Sequence, residues 1–202
     1  MQNILIRYKI FVMKICVFFG TFNPIHNGHI KMADFALKKY NFDKIIFVPA
    51  YLPPHKELEN NLAGHRLNMV KLATKTNPKF EVSDIEYQSN TKSYSIFTIE
   101  KLIAKYNIQD RINFIIGTDA FEKIETWYNA DKLKKLVHFI VFPRKGENTN
   151  KLVNLKQNSW DFEIAKSEYF DFSSTEIRAT SSHTKTNTEV EEYIKTHDLY
   201  KS

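Results

Sequence analysis

One cysteine, five glycines and no long apolar run set the first limits on this 202-residue chain. The single thiol, Cys16, excludes a disulfide within the chain and points to a reducing compartment, and its place in Ile15-Cys16-Val17-Phe18-Phe19 reads as core filling. No stretch approaches the roughly 18 apolar residues that cross a bilayer, so a cytoplasmic protein with no membrane partner is expected. Residues 1–12 combine apolar side chains with Arg7 and Lys9, and they lack the apolar segment and small-residue cleavage site of a signal peptide. Low-complexity tracts and internal repeats are missing too. With 43% hydrophobic and 26% charged residues the composition is that of a globular domain, and its length fits one core.

The charge excess is modest: 29 Lys and Arg against 23 Asp and Glu leave +6. The lysines are scattered and not blocked, so small anionic substrates explain the excess without nucleic acid.

Short apolar runs alternate with longer segments of helical period, the pattern of a parallel sheet with helices on both faces. Strands are predicted at 14–19, 44–48, 80–83, 111–116 and 137–142, with a short one near 162–165. Helices are predicted at 27–40, 64–76, through Ile99, Leu102, Ile103 and Tyr106, and as one stretch over about 120–136. Pro49, Pro53 and Pro54 force a loop after the second strand, and a polar loop spans 145–150. Ser173 and Glu176, three apart, read as a capping box that starts a further helix. The sum is a single doubly wound, Rossmann-like α/β domain, with its ligand site at the carboxyl ends of the strands.

Gly20-Thr21-Phe22-Asn23-Pro24-Ile25-His26-Asn27-Gly28-His29 falls between the first strand and the first helix, where such folds bind phosphate on free backbone amides. Gly20 allows close approach of the backbone, Asn23-Pro24 makes a turn, and Gly28 leaves room near the first helical turn. His26 and His29 can face one anion from a single helical turn. Zinc would need further Cys or His ligands at suitable spacing, and the other histidines show no such cluster, so no protein-held metal is expected. His55, Lys56 and Arg144 are basic side chains on loops near strand ends, placed to hold phosphates.

With these residues the sequence resembles the nucleotidylyltransferases marked by Gly-Thr-Phe-Asp-Pro-x-His-x-Gly-His, and among them the bacterial nicotinate-nucleotide adenylyltransferases. The resemblance continues through Val48-Pro49, Pro53-Pro54-His55-Lys56, His65-Arg66, Ser93-Tyr94-Ser95, Gly117-Thr118-Asp119, Trp127-Tyr128, Pro143-Arg144-Lys145-Gly146, Phe172 to Arg178 and Asp198-Leu199-Tyr200. Met13-Lys14 leads into the first strand as chains of this family begin, so 13–202 is expected to be the nucleotidylyltransferase domain and 1–12 an extension. Departures are Phe19 for a second glycine, Asn23 for aspartate, Ser95 for threonine and Lys145 for proline, and Tyr51 stands where some relatives carry asparagine near the pyridine ring.

The resemblance implies transfer of AMP from ATP to nicotinate mononucleotide, giving nicotinate adenine dinucleotide and pyrophosphate in NAD biosynthesis. It implies catalytic roles for His26 and His29, and ATP contacts from Gly20, Thr21, Phe22, Gly28, Gly117, Asp119, Ser173, Ser174, Thr175 and Arg178. On the mononucleotide side it implies His55, Lys56, Ser95, Ile96, Trp127, Tyr128 and Arg144, with the Trp127 ring on the nicotinate and the Ser95-Ile96 amides on its carboxylate. Mg2+ would ride on the phosphates and water. A homo-oligomer is compatible with the sequence, which does not fix the oligomeric state. Alternatives with the same chemistry are transfer to nicotinamide mononucleotide or phosphopantetheine, or cytidylyl transfer; a silent nucleotide sensor or nucleic-acid binder is the alternative of another class. A class I aminoacyl-tRNA synthetase shares His-x-Gly-His, but this chain lacks its length and its Lys-Met-Ser-Lys-like segment.

Overall fold

The computed structural model describes residues 13–54, 62–89, 91–144, 152–167, 173–180 and 185–200. The expected extension 1–12 and the polar loop 145–150 lie outside these residues, as do His55 and Lys56.

Alternation along the strands builds the fold. In β1 (Ile15–Gly20), Ile15 and Val17 enter one core while Cys16 and Phe18 enter the other. In β2 (Lys44–Pro49), Ile46 and Val48 oppose Ile45 and Phe47 in the same way. Side chains alternate across a strand, so a run that is apolar at every position needs cover on both faces. The expected Cys16 filler is fully buried and forms part of the second core. With β3 (Phe80–Val82), β4 (Ile112–Gly117), β5 (Val137–Phe142) and β6 (Phe162–Ile164), the sheet runs β3-β2-β1-β4-β5-β6, and every pairing is parallel. The order reverses between β1 and β4, and a crevice opens at such a switch point.

One core takes α3 (Ser95–Lys105) and α5 (Ala130–Leu136) through Ile96, Ile99, Leu102 and Leu133. The other takes α1 (Asn27–Lys39) and α2 (Leu62–Thr74) through Ala33, Ala36, Leu37, Met69, Val70 and Ala73. It also holds α8 (Thr188–Thr196), whose Val190 and Ile194 are one helical turn apart. The sequence reading missed α8; its signals are Asn187, which caps Val190 N at 2.9 Å, and the Val190/Ile194 spacing. It also missed α6 (Val153–Gln157) and a 3-10 turn at Ile85–Gln88. The helix α7 (Ser174–Thr180) starts where the Ser173/Glu176 pair predicts.

One expectation is overturned. The stretch 120–136 is not one helix: α4 (Thr118–Phe121) gives way to a 3-10 turn at Ile124–Thr126, an extended Trp127, and Asn129 at φ 55° before α5 begins. Asn tolerates this left-handed backbone better than most residues, so the break falls there. It leaves Trp127 and Tyr128 on a loop facing the crevice instead of on a helix.

Candidate active site

A cleft of about 850 Å³ lies at the carboxyl ends of β1, β4 and β5. Its floor is the turn after β1. Gly20 ends the strand and lines the cleft, and its conformation is ordinary; a Cβ there would sit 2.7 Å from the Phe22 ring, so the glycine makes room for that ring. Phe22 is itself 2% exposed at φ 47°, and its ring meets Phe18 at 5.5 Å and His29 at 5.0 Å, both edge-on. The expected Phe22 position is therefore a buried support, and its side chain packs behind the histidines.

His26 is the N-cap of α1. Its Nδ1 accepts the His29 N–H at 3.3 Å, while His29 Nδ1 accepts the His26 N–H at 3.2 Å. This is a capping box built from two imidazoles. The rings stack at 3.6 Å, with 21° between their planes. Both rings line the cleft, and because each Nδ1 is occupied as an acceptor, the proton of the neutral imidazole belongs on Nε2, where it can donate. Burial, and then the positive charge of Arg144, push the His26 pKa down to about 4.

α7 braces the turn. Ser174 Oγ donates to the Pro24 carbonyl at 2.9 Å, and Arg178 donates to the Asn23 carbonyl at 2.6 Å and to Thr175 Oγ1 at 3.2 Å. Ser173, Ser174, Thr175 and Arg178 all line the cleft, as expected, but Ser174 and Arg178 also hold the backbone that carries the histidines. Asn23, the departure from aspartate, accepts a short hydrogen bond from the Tyr200 hydroxyl through Oδ1.

Thr21 and Gly28 line the cleft from the floor, and Gly117 and Asp119 line it from the end of β4 with Arg144. A Cβ on Gly117 would meet Asp119 Oδ1 at 2.8 Å, so that glycine gives the carboxylate its place. Asp119 and Arg144, expected on different substrates, pair with each other at 2.9 Å. Arg144 extends from the end of β5, so the pair joins the two strand ends across the lip.

The third wall is aromatic. Trp127 packs 6.3 Å from Phe114, Tyr128 is 54% exposed and lies 4.8 Å from Tyr94, and Phe19 covers Phe114 at 4.7 Å in place of the missing glycine. Ser95 lines the cleft at the start of α3, whose N-cap Tyr94 makes no side-chain cap bond. The helix start is therefore open to an anion. The Ile96 side chain is buried in the core, which leaves its backbone to serve the site. Tyr51 does not reach the cleft wall; its ring packs on Tyr87 at 5.2 Å. Two buried charged residues went unassigned in the sequence. Glu86 accepts from Thr98 at 2.8 Å and from the Tyr51 N–H at 3.4 Å, and burial raises its pKa. Arg66 is the other, and no periodic pattern marks either as special.

The cytidylyltransferase-like family matches residues 17–180 of the chain. A Fusobacterium nucleatum protein described as a probable nicotinate-nucleotide adenylyltransferase is 41% identical over 166 residues, spanning 82% of this chain and 86% of its own. The nicotinate-nucleotide adenylyltransferase of Bacillus subtilis is 34% identical over 195 residues, spanning 94% of this chain and 99% of its own. Among solved structures, a Plasmodium falciparum nicotinic acid mononucleotide adenylyltransferase complexed with NaAD superposes with a TM-score of 0.74, at 19% identity, over 93% of this chain and 97% of that one. The fold is shared.

Proposed function

The chain belongs to the cytidylyltransferase-like family and within it to the nicotinate-nucleotide adenylyltransferases, and from that membership we infer that it transfers AMP from ATP to nicotinate mononucleotide. The products are nicotinate adenine dinucleotide and pyrophosphate, and the enzyme is a nucleotidyltransferase of NAD biosynthesis. The observation that carries the reading is one cleft holding both the His26–His29 helix start and, beside Trp127, the uncapped start of α3.

The mononucleotide phosphate is already an anion, so it attacks the α-phosphorus without a base. The new P–O bond forms in line with the bond to pyrophosphate that breaks, and no enzyme nucleophile takes part. Such transfers are accelerated by positioning and by donors aimed at developing charge. The Nε2–H groups of His26 and His29 supply those donors to the α-phosphate and the leaving group, and Thr21, Gly28, Ser173 and Thr175 surround the outer phosphates. Asp119 suits a ribose hydroxyl once it parts from Arg144, which then meets phosphate. Trp127 stacks on the pyridine ring, with Tyr128 beside it, and the Ser95–Ile96 amides take the carboxylate.

Among the described residues no group of three or more His, Cys, Asp or Glu side chains could hold a metal, and Glu86 is engaged by Thr98 and Tyr51. A divalent ion, for which Mg2+ is our reading, would come to the site with the substrate phosphates and keep much of its water. When bound it neutralises phosphate charge. No described helix is long and apolar enough to cross a membrane. Residues 13–202 form the working domain, and a chain starting at Met13 is expected to keep full activity.

The test is incubation of the pure protein with ATP, Mg2+ and nicotinate mononucleotide, with the dinucleotide resolved by chromatography and pyrophosphate counted. One pyrophosphate per dinucleotide is expected; pyrophosphate without dinucleotide overturns the reading.

A further inference from the structure

Arg66 is 1% exposed and lies behind the cleft, not on its wall. Burying a guanidinium is costly, and although Nε finds no partner here, the three bonds of the terminal nitrogens show what the residue is held against. One terminal nitrogen donates to the Thr21 carbonyl at 2.9 Å and to the Ala50 carbonyl at 2.5 Å, and the other to the Tyr51 carbonyl at 2.9 Å. Thr21 belongs to the turn that carries His26 and His29. Ala50 and Tyr51 belong to the loop after β2.

The position of these carbonyls has a simple origin. The β1–β2 ladder ends with the Ala50 N–H donating to the Gly20 carbonyl at 2.9 Å, and beyond it the two chains leave the sheet. The guanidinium continues the pairing for one more step. From Tyr51 the contacts run on: the N–H groups of Tyr51 and Leu52 donate to Ser93 Oγ at 2.9 and 3.1 Å, and Ser93 N–H donates to the Leu52 carbonyl at 2.8 Å. Ser93 lies two residues before the start of α3. An unbroken set of hydrogen bonds therefore joins the phosphate turn to the helix start that faces Trp127.

We propose that Arg66 is a positioning residue that sets the separation between the ATP half and the mononucleotide half of the site. It touches neither substrate. It acts through the backbone of Thr21, Ala50 and Tyr51, so that the acceptor phosphate meets the α-phosphorus at reactive distance. The inference rests on the adenylyl-transfer reading above.

Misplacing reacting groups by about 1 Å costs roughly 10²-fold in rate, whereas each substrate still finds its own contacts. Arg66→Met should accordingly lower kcat about 10²-fold at saturating ATP and nicotinate mononucleotide, with either KM changed less than about threefold. Arg66→Lys keeps the charge but loses the planar fork, and should fall about 10-fold in kcat. A role in folding alone would lower the melting temperature and leave kcat per folded molecule unchanged. Hydrogen exchange on the wild-type enzyme gives a second readout that no variant can spoil. α,β-Methylene-ATP alone, bound on the ATP half of the site, should slow exchange of the amides at 50–52, of which Tyr51 and Leu52 lie off the cleft wall.

A folded Arg66→Met or Arg66→Lys enzyme with kcat within threefold of wild type overturns the inference. So does wild-type exchange at 50–52 that ignores the analogue. Wild-type turnover assayed in parallel separates the two readings, since failure to form dinucleotide there sinks the proposed function instead.

Discussion

His26 and His29 cap each other, each Nδ1 accepting the other's backbone N–H, with their rings stacked at 3.6 Å. The sequence spacing suggests two imidazoles facing one anion, and the structure adds that each Nδ1 is already engaged by the helix start. Their geometry separates the structural role of each ring, which uses Nδ1, from its catalytic role, which uses Nε2.

His26→Asn should divide those roles. Asn is a good N-cap acceptor, so the variant should melt near the wild-type temperature, yet it lacks the Nε2 donor and should lose about 10²-fold in turnover. His26→Ala should lose similar turnover and about 1 kcal/mol of stability besides. Wild-type turnover in His26→Asn would remove His26 from the chemistry.

The low His26 pKa has a defined sign in stability. The folded value is about 4 and the ordinary value about 6.5, so the unfolded chain binds the extra proton between them. The contribution is complete above about pH 6.5 and is lost as pH falls toward 4, to a limit of about 3 kcal/mol. Denaturant midpoints of wild type and His26→Asn, compared from pH 7.5 to about 4, should start close together and separate over that window, wild type falling below the variant. Parallel curves would show that His26 is not held neutral.

Acceptor choice follows from the uncapped start of α3. A nicotinate carboxylate can take its backbone amides, and the neutral nicotinamide gains less. A difference of about 2 to 4 kcal/mol translates into a preference of at least roughly 30-fold in kcat/KM for nicotinate mononucleotide. Equal values for the two mononucleotides at one Mg2+ concentration would reject this acceptor assignment and leave adenylyl transfer standing.

Tyr200 steadies the phosphate turn from the end of the described chain. Tyr200→Phe removes the donor to buried Asn23 Oδ1, and an unpaired buried acceptor costs about 1–3 kcal/mol. The looser turn should raise the KM for ATP roughly fivefold while the KM for the mononucleotide stays within twofold. An increase shared by both substrates would mean general damage to the fold rather than a local effect on the turn.

Most of the fold was legible because its signals are local. The strand Val137–Phe142 has the bounds expected from the sequence, and α1 ends one residue from its expected end. The turn between β1 and α1 was placed by Gly20, Pro24 and the two histidines. The break in 120–136 was not legible, since Glu122 to Lys135 contains nothing that forbids a helix and Asn129 only permits the left-handed step. The contact that makes Gly20 necessary, the Phe22 ring against the place of its Cβ, was not legible either, because it depends on how the turn folds back on the strand.

By itself the sequence determined the alternation of buried strands with amphipathic helices, and with it the parallel sheet and the position of the phosphate turn. Those features depend on side-chain period and on turn residues within a few positions. Only the tertiary structure decided that Arg66, which the sequence left without a role, collects carbonyls 15, 16 and 45 residues away, or that Arg178 reaches back 155 residues to the Asn23 carbonyl. A backbone carbonyl carries no sequence signature. Which donor meets it is settled by how the strands and helices pack.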